Sequence, residues 1–372
     1  EYLCTQFGWQ AELAEILTTA DLAKADLASH LVYELPNLQG IAGRLLAEDQ
    51  GRDKKITVGI SEHYLPLIAD GELPKSHAGI VVSLADKIDT IAASFYNGFI
   101  PKGSKDIWGL KRAATGIIRI ILEKNVDLDL NLLINAAYEF LPVKPDSEKA
   151  VKDKDLLQDF FKQRFKNWFL EQKQDYDLVD AVLNDCPKSP IKAANMILAL
   201  DDLKIGNLAN YKLITETVVR VKRLAAKSSN PVQIGVCRKI GKFDKVLGKT
   251  SRATGVYKHI NEACEGSFNN VICQNLHFAM GSVDMALFSE QIERDAYQLY
   301  SSTKIEIVRL LKENNAQTAL EKLVPLAEIM AQYFVDVLVM AEDSAVKNNR
   351  LSFLAELNQL FLQFADFEVI VI

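Results

Sequence analysis

The chain has 372 residues, more than one hydrophobic core usually serves, so two or three domains are expected. Hydrophobic residues make up 49% and charged residues 25%, with only 18 glycines and 10 prolines, which excludes a disordered or collagen-like chain and favours helix. A net charge of −6 excludes nucleic-acid binding driven by the field of the molecule as a unit, so any such contact has to come from local basic patches.

Taken along the chain, Glu12 to Leu35 carries Leu13, Ile16, Leu17, Ala20, Ala23, Ala28 and Leu31 every three or four residues, the spacing of one buried helical stripe, with Pro36 ending it. Glu48 to Asp53 reads as a loop around Gly51, and Pro66 to Pro74 as a turn around Asp70-Gly71. Helix is expected again over Ser76–Tyr96 and Ile107–Leu122, separated by an exposed loop at Asn97-Gly98 and Pro101-Lys102-Gly103-Ser104. Prolines 142 and 145 mark a first boundary. Beyond it, Leu157, Phe160, Phe161, Phe165, Trp168 and Phe169 form an aromatic stripe that reads as a packed core face in preference to a base-stacking surface.

From Asn230 to Gly281 the texture changes, with seven Lys or Arg against three Asp or Glu and little periodicity. Gln291 to Leu311, Thr318 to Met340 and Leu351 to Phe364 then give a three-helix pattern, with Pro325 kinking or starting the middle helix. The expected fold class is all-α, in four segments: a helical domain over 1–145, a helical connector over 146–229, a basic irregular insertion over 230–281 and a helical bundle over 282–372. No apolar run is long enough to span a bilayer; Tyr333 to Ala341 is broken by Asp336. The five cysteines, Cys4, Cys186, Cys237, Cys264 and Cys273, are odd in number without a Cys-x-x-Cys pair, the pattern of reduced thiols in a cytoplasm. The chain opens on Glu1 and not Met, which reads as a fragment of a longer protein.

Several residues are candidates for chemistry. Asp86 and Asp89 lie three apart on one helix face and could hold a divalent metal, or act as caps and ion-pair partners. Lys102, Lys105, Lys111, Arg112 and Arg119 concentrate positive charge beside flexible backbone, as a phosphate-contacting surface does, or else form a solvated loop and helix face. Phe243 to Thr250 ends in Gly-Lys-Thr, but Phe243 replaces the first glycine that a phosphate loop requires, so nucleotide binding there is not expected. Cys237, His259, Cys264, Cys273 and His277 lack the paired close spacing of a zinc site apart from Cys273-x3-His277.

Three ordered blocks then carry a family resemblance: Leu84-Ala85-Asp86-Lys87-Ile88-Asp89-Thr90, Pro101-Lys102-Gly103-Ser104-Lys105-Asp106, and Lys111 through Asn125. Ala23-Lys24-Ala25-Asp26-Leu27, Glu34, Leu38-Gln39-Gly40, His63-Tyr64-Leu65-Pro66, Val339 through Asp343 and Asn349-Arg350-Leu351 fit the same pattern. The chain resembles the glycyl-tRNA synthetase beta subunit, with Ile107-Trp108 standing where that family has Pro-Phe. The resemblance implies a domain of HD type over 1–145 and an anticodon-binding-like bundle over 282–372, and it fails over 230–281. It implies a tRNA-recognition subunit of a ligase, a glycyl-tRNA synthetase alpha subunit and tRNA(Gly) as partners in an alpha2beta2 hetero-oligomer, and a cytoplasmic location. ATP with magnesium would be used in the alpha subunit, with no cofactor and no catalytic residue in this fragment. By the same resemblance to anticodon-binding bundles, Lys347, Asn349 and Arg350 would donate to RNA and Tyr333 would supply a stacking ring, against an ordinary reading of a turn and a core tyrosine. Two other readings compete: an HD-type metal-dependent phosphohydrolase, for which no histidine is followed by the required Asp, and a non-catalytic helical scaffold.

Overall fold

A computed structural model describes residues 1–101, 103, 105–106, 108–142, 147–183, 189–227 and 283–372. The fold is all-α, 74% helical, with no strand among the described residues. Residues 1–208, with 310–320 and 369–371, form one compact unit, and residues 209–309, with 321–368 and 372, form a second.

The first unit begins with α1 (Tyr2–Phe7) and α2 (Leu13–Leu22). The single helix expected to Leu35 is not formed, because Asp26 turns inward. Its carboxylate accepts the Gly40 and Gly43 backbone N–H at 2.6 and 3.2 Å, at the start of α4 (Ile41–Asp49), while Ser29 caps the short α3 (His30–Glu34) through the Val32 N–H at 3.3 Å. Gly40 itself sits at φ +82° with the Tyr64 ring where a Cβ would fall, so the turn into α4 needs glycine twice over.

Asp53 caps α5 (Lys54–Glu62), and Ser76 caps α6 (His77–Tyr96). The Glu62 carboxylate, accepting the Lys75 and Ser76 N–H at 3.0 and 2.7 Å, ties the end of α5 to the start of α6. Helix α6 is the hub, packed by α5, α7 (Leu110–Glu123), α8 (Leu130–Glu139) and α9 (Glu148–Glu171). Its Ile80, Leu84, Ile88, Ile91 and Phe95 follow the i, i+4, i+7 pattern and are buried, as are Ile117, Ile118, Ile120 and Ile121 of α7. The aromatic stripe of α9 is internal as expected: Leu157, Phe161, Phe165 and Phe169 are buried, each worth about 1.5–3 kcal/mol.

These α9 side chains share one core with residues from Leu3 to Tyr138, and the core runs on to Ile197 in α11 (Pro190–Gly206), past α10 (Tyr176–Val182). Residues 146–206 therefore do not form a separate connector. The boundary expected near Pro142 and Pro145 does not divide the core, since Ile134 and Tyr138 of α8 share it with Phe161 and Phe165 of α9.

The second unit contains α12 (Leu208–Ala225, from Ala209), most of α13 (Gln291–Lys312) and α14 (Ala316–Asp336), and α15 (Ser344–Phe361); Tyr300 of α13, Tyr333 of α14 and Phe288 ahead of α13 all meet Phe353 of α15 in one aromatic core. Tyr333 meets Phe353 edge-on at 6.0 Å between centroids. Helix α14 runs through Pro325, and it stops at Asp336, short of the expected Met340. Asp343 accepts the Ala345 and Val346 N–H at 2.8 and 3.1 Å and starts α15 at Ser344, seven residues before the position read from periodicity.

Candidate nucleic-acid interface

The loop between α6 and α7 is fixed at both ends by backbone chemistry. Gly98, at φ +80°, ends α6; its N–H and that of Phe99 bond the Phe95 and Ser94 carbonyls at 2.9 Å each. At the other end the Asp106 carboxylate accepts the Lys111 and Arg112 backbone N–H at 2.9 and 3.1 Å, covering the first amides of α7. Lys105 and Arg112 are exposed, and Lys111 donates its ammonium to the Gly103 carbonyl, so its charge stays at the loop. The Arg112 Nε stands 3.7 Å from Asp106. The loop thus holds three described cations against one acid whose oxygens are committed to helix amides. Lys102, the fourth expected cation, lies outside the described residues.

Arg119 departs from this surface. Its guanidinium donates to the Ala69 and Gly71 carbonyls at 2.6 and 2.9 Å and pairs with Glu123 at 2.7 Å, so it holds the 69–71 turn onto α7. The second unit requires a larger correction, since Tyr333, Asn349 and Arg350 are all internal. Asn349 clamps the Asp284 backbone from both sides, accepting its N–H at 2.8 Å and donating to its carbonyl at 2.9 Å. Arg350 meets fully buried Glu293 in a two-bond fork at 2.7 and 3.0 Å, and also donates to the Leu338 carbonyl and Ser289 Oγ. A guanidinium spent this way cannot reach an RNA base. Of the four residues expected to read an anticodon, Lys347 alone keeps a partly exposed side chain.

Asp86 and Asp89 are separated by their surroundings. Asp86 pairs with the Lys24 ammonium, and Asp89 is exposed. Among the described residues no three His, Cys, Asp or Glu side chains gather closely enough to hold a metal ion. Between the two aspartates stands a group the sequence reading passed over. The buried Lys87 ammonium donates to the Leu65 carbonyl at 2.9 Å and to Ser83 Oγ at 2.8 Å, with the His63 and Tyr64 carbonyls at 3.4 Å. Burial pushes Lys87 down to about 8, opposed by the nearby Asp86 charge. His63, buried above it with Nδ1 against the Ile60 carbonyl at 2.6 Å, is also pushed down by burial. An amino group thus organises the 63–65 turn from the buried face of α6, while Asp86 and Asp89 lie on its more exposed face. The signal for it was present as Lys87 on the apolar face of α6, in register with Leu84, Ile88 and Ile91.

A family described as the glycyl-tRNA synthetase beta subunit matches residues 1–184. The glycine–tRNA ligase beta subunit of Desulforamulus reducens is 32% identical over 377 residues, covering 100% of this chain and 46% of that relative. The chain belongs to the glycyl-tRNA synthetase beta subunit family. The beta subunits of Geotalea daltonii and Haemophilus influenzae are 34% and 30% identical, covering 95% and 94% of this chain and 44% and 43% of those proteins. The chain spans about half the length of the curated relatives it matches. The family match contains both the basic loop and the Lys87 cluster, whereas Lys347, Asn349 and Arg350 lie beyond it, within the alignment to the Desulforamulus relative. Residues 230–281, expected above to be an insertion, with their Gly-Lys-Thr run and the Cys237, His259, Cys264, Cys273 and His277 set, lie outside the described residues, as does Cys186. No described helix is long and apolar enough to cross a membrane.

Proposed function

We propose that this chain supplies tRNA recognition to a glycyl-tRNA synthetase, positioning tRNA(Gly) while ATP-dependent glycine activation takes place in a separate alpha subunit, within an alpha2beta2 assembly in the cytoplasm. The observation that carries this reading is the α6–α7 loop: exposed Lys105 and Arg112, with Lys111 beside them, at a helix start tied down by Asp106, inside the part of the chain that matches the beta-subunit family. Lysine and arginine on such a surface gain affinity by displacing counterions from phosphates. Lys105, Lys111 and Arg112 are the residues we place on the tRNA backbone, with Lys347 as a second, isolated contact. Arg119, Tyr333, Asn349 and Arg350 support the surfaces from inside.

Magnesium and ATP belong, on this reading, to the alpha subunit. The HD-type hydrolase reading loses ground for a specific reason. Water activation needs converging ligands around a metal, whereas Asp86 is paired with Lys24 and Asp89 stands exposed on its own. The division of labour is tested by assaying the chain with glycine, ATP and magnesium. Alone it is expected to form no glycyl-adenylate, and with the alpha subunit present tRNA(Gly) is glycylated. Adenylate formed by the chain alone overturns the proposal.

A further inference from the structure

Two aromatic rings at the α6–α7 loop take no part in the core. Phe99 is 54% exposed and Trp108 is 65% exposed, their ring centroids 5.7 Å apart and their planes inclined at 52°. The other two tryptophans behave differently. Trp9 stacks on His77 at 3.8 Å, and Trp168 packs edge-on against Phe169 at 4.8 Å. Leaving a tryptophan and a phenylalanine in water forgoes a large burial gain, so an exposed pair is a mark of something that covers it.

Their backbones are not loose. Phe99 is pinned by its N–H to the Ser94 carbonyl, and the turn carrying Trp108 is closed by the Gly109 N–H to the Asp106 carbonyl at 3.1 Å. Phe99 and Trp108 thus sit on backbone held by these bonds, in the same loop as Lys105, Lys111 and Arg112, with the Arg112 guanidinium lying against Gly109, next in sequence to Trp108. The charge decides among possible occupants. An exposed indole in a loop that carries Lys105, Lys111 and Arg112, its single described acid turned to helix amides, fits a ligand that is both planar and polyanionic. Among macromolecules that is a nucleic acid with an unpaired base; the basic rim opposes a purely apolar protein partner.

We propose that Trp108, backed by Phe99, stacks an unpaired base of bound RNA while Lys105 and Arg112 hold the phosphates on either side. This deepens the tRNA-recognition reading and rests on it. Stacking on a ring is indifferent to base identity, so the pair adds affinity and orientation, and sequence is read elsewhere.

The test uses the full chain and tRNA(Gly), followed by tryptophan fluorescence and by an independent filter-binding assay. Wild-type fluorescence is expected to be quenched on binding. Trp108→Ala should abolish that quench and weaken binding about 5- to 30-fold, with the salt dependence unchanged because the phosphate contacts remain. Trp108→Phe should restore most of the affinity. An unchanged thermal midpoint for Trp108→Ala separates the effect from misfolding. If wild type binds tRNA and Trp108→Ala binds equally well, the stacking proposal is overturned while tRNA recognition stands. If Trp108→Ala keeps its RNA affinity but no longer assembles with the alpha subunit, the rings serve a protein contact and the proposal is overturned in that way. If wild type binds no RNA, the underlying functional reading fails with it.

Discussion

Replacing Arg350 by alanine is expected to destabilise the C-terminal unit by about 3–5 kcal/mol, the scale seen when one member of a buried ion pair is removed. Both partners are almost wholly buried, and the arginine also satisfies the Leu338 carbonyl and Ser289 Oγ. Alanine therefore strands a carboxylate and two neutral acceptors together. Glu293 keeps some support, since it accepts the Ser289 and Glu290 backbone N–H at 2.9 Å each. Burial acts to raise the Glu293 carboxyl, but the Arg350 hydrogen bonds and charge, with the Glu290 N–H, more than offset it and hold the group below the ordinary glutamate range. A depressed carboxyl contributes stability that is complete above its unfolded value and lost as pH falls through its folded value. In Arg350→Ala only the Ser289 and Glu290 groups still oppose burial, so the Glu293 carboxyl rises and its protonation costs the fold less; the deficit of the variant relative to wild type should shrink as pH falls into the acid range. Urea denaturation at neutral pH and an acid titration check both points; a loss under about 1 kcal/mol would mean the fork contributes little.

Lys87→Ala should cost the N-terminal unit about 2–4 kcal/mol, from the lost hydrogen bonds and from the space left by the stem. Here burial favours the neutral amine while the nearby Asp86 charge favours the ammonium, and burial wins, bringing the group down to about 8. The sign of the pH effect follows. Between about 8 and the ordinary lysine value of 10.5 the unfolded chain binds a proton that the folded chain has released. Stability due to Lys87 therefore rises with pH across that window. Lys87→Met keeps most of the stem and removes the titration. The stability of wild type relative to Lys87→Met should widen as pH goes from 8 to 10, measured by denaturant midpoints, and a difference flat in pH would show that the ammonium is not buried as described.

The helices of the first unit were legible wherever an apolar period coincided with a local stop. Helix α6 runs from the Ser76 cap to Asn97 as read, because its start and its stripe are encoded within about twenty residues. The break near Asp26 was not legible. A carboxylate inside an alanine- and leucine-rich run reads as a solvent-facing residue, and only its bonds to the Gly40 and Gly43 amides make burial favourable. Arg350 failed for the same physical reason at longer range. Its partner Glu293 lies 57 residues away, and residue type alone assigns an arginine to the surface. The candidate interface was half legible. Composition pointed to the Lys105–Arg112 loop, while Phe99 and Trp108 were passed over, although two aromatics in a glycine- and lysine-rich loop with no apolar period around them are a signal that they do not face a core.

The central claim is that this chain binds transfer RNA through outward cations of the α6–α7 loop. Its most direct measurement is the affinity for tRNA(Gly) and for an unrelated tRNA over a salt series, with wild type and with Lys105→Ala/Arg112→Ala. The account predicts tighter binding of tRNA(Gly) by wild type, and a slope of log affinity against log salt shallower by about 1.4–1.8 in the double variant, two phosphate contacts fewer. Identical slopes for the two proteins, or wild-type affinity that does not respond to salt, would contradict it.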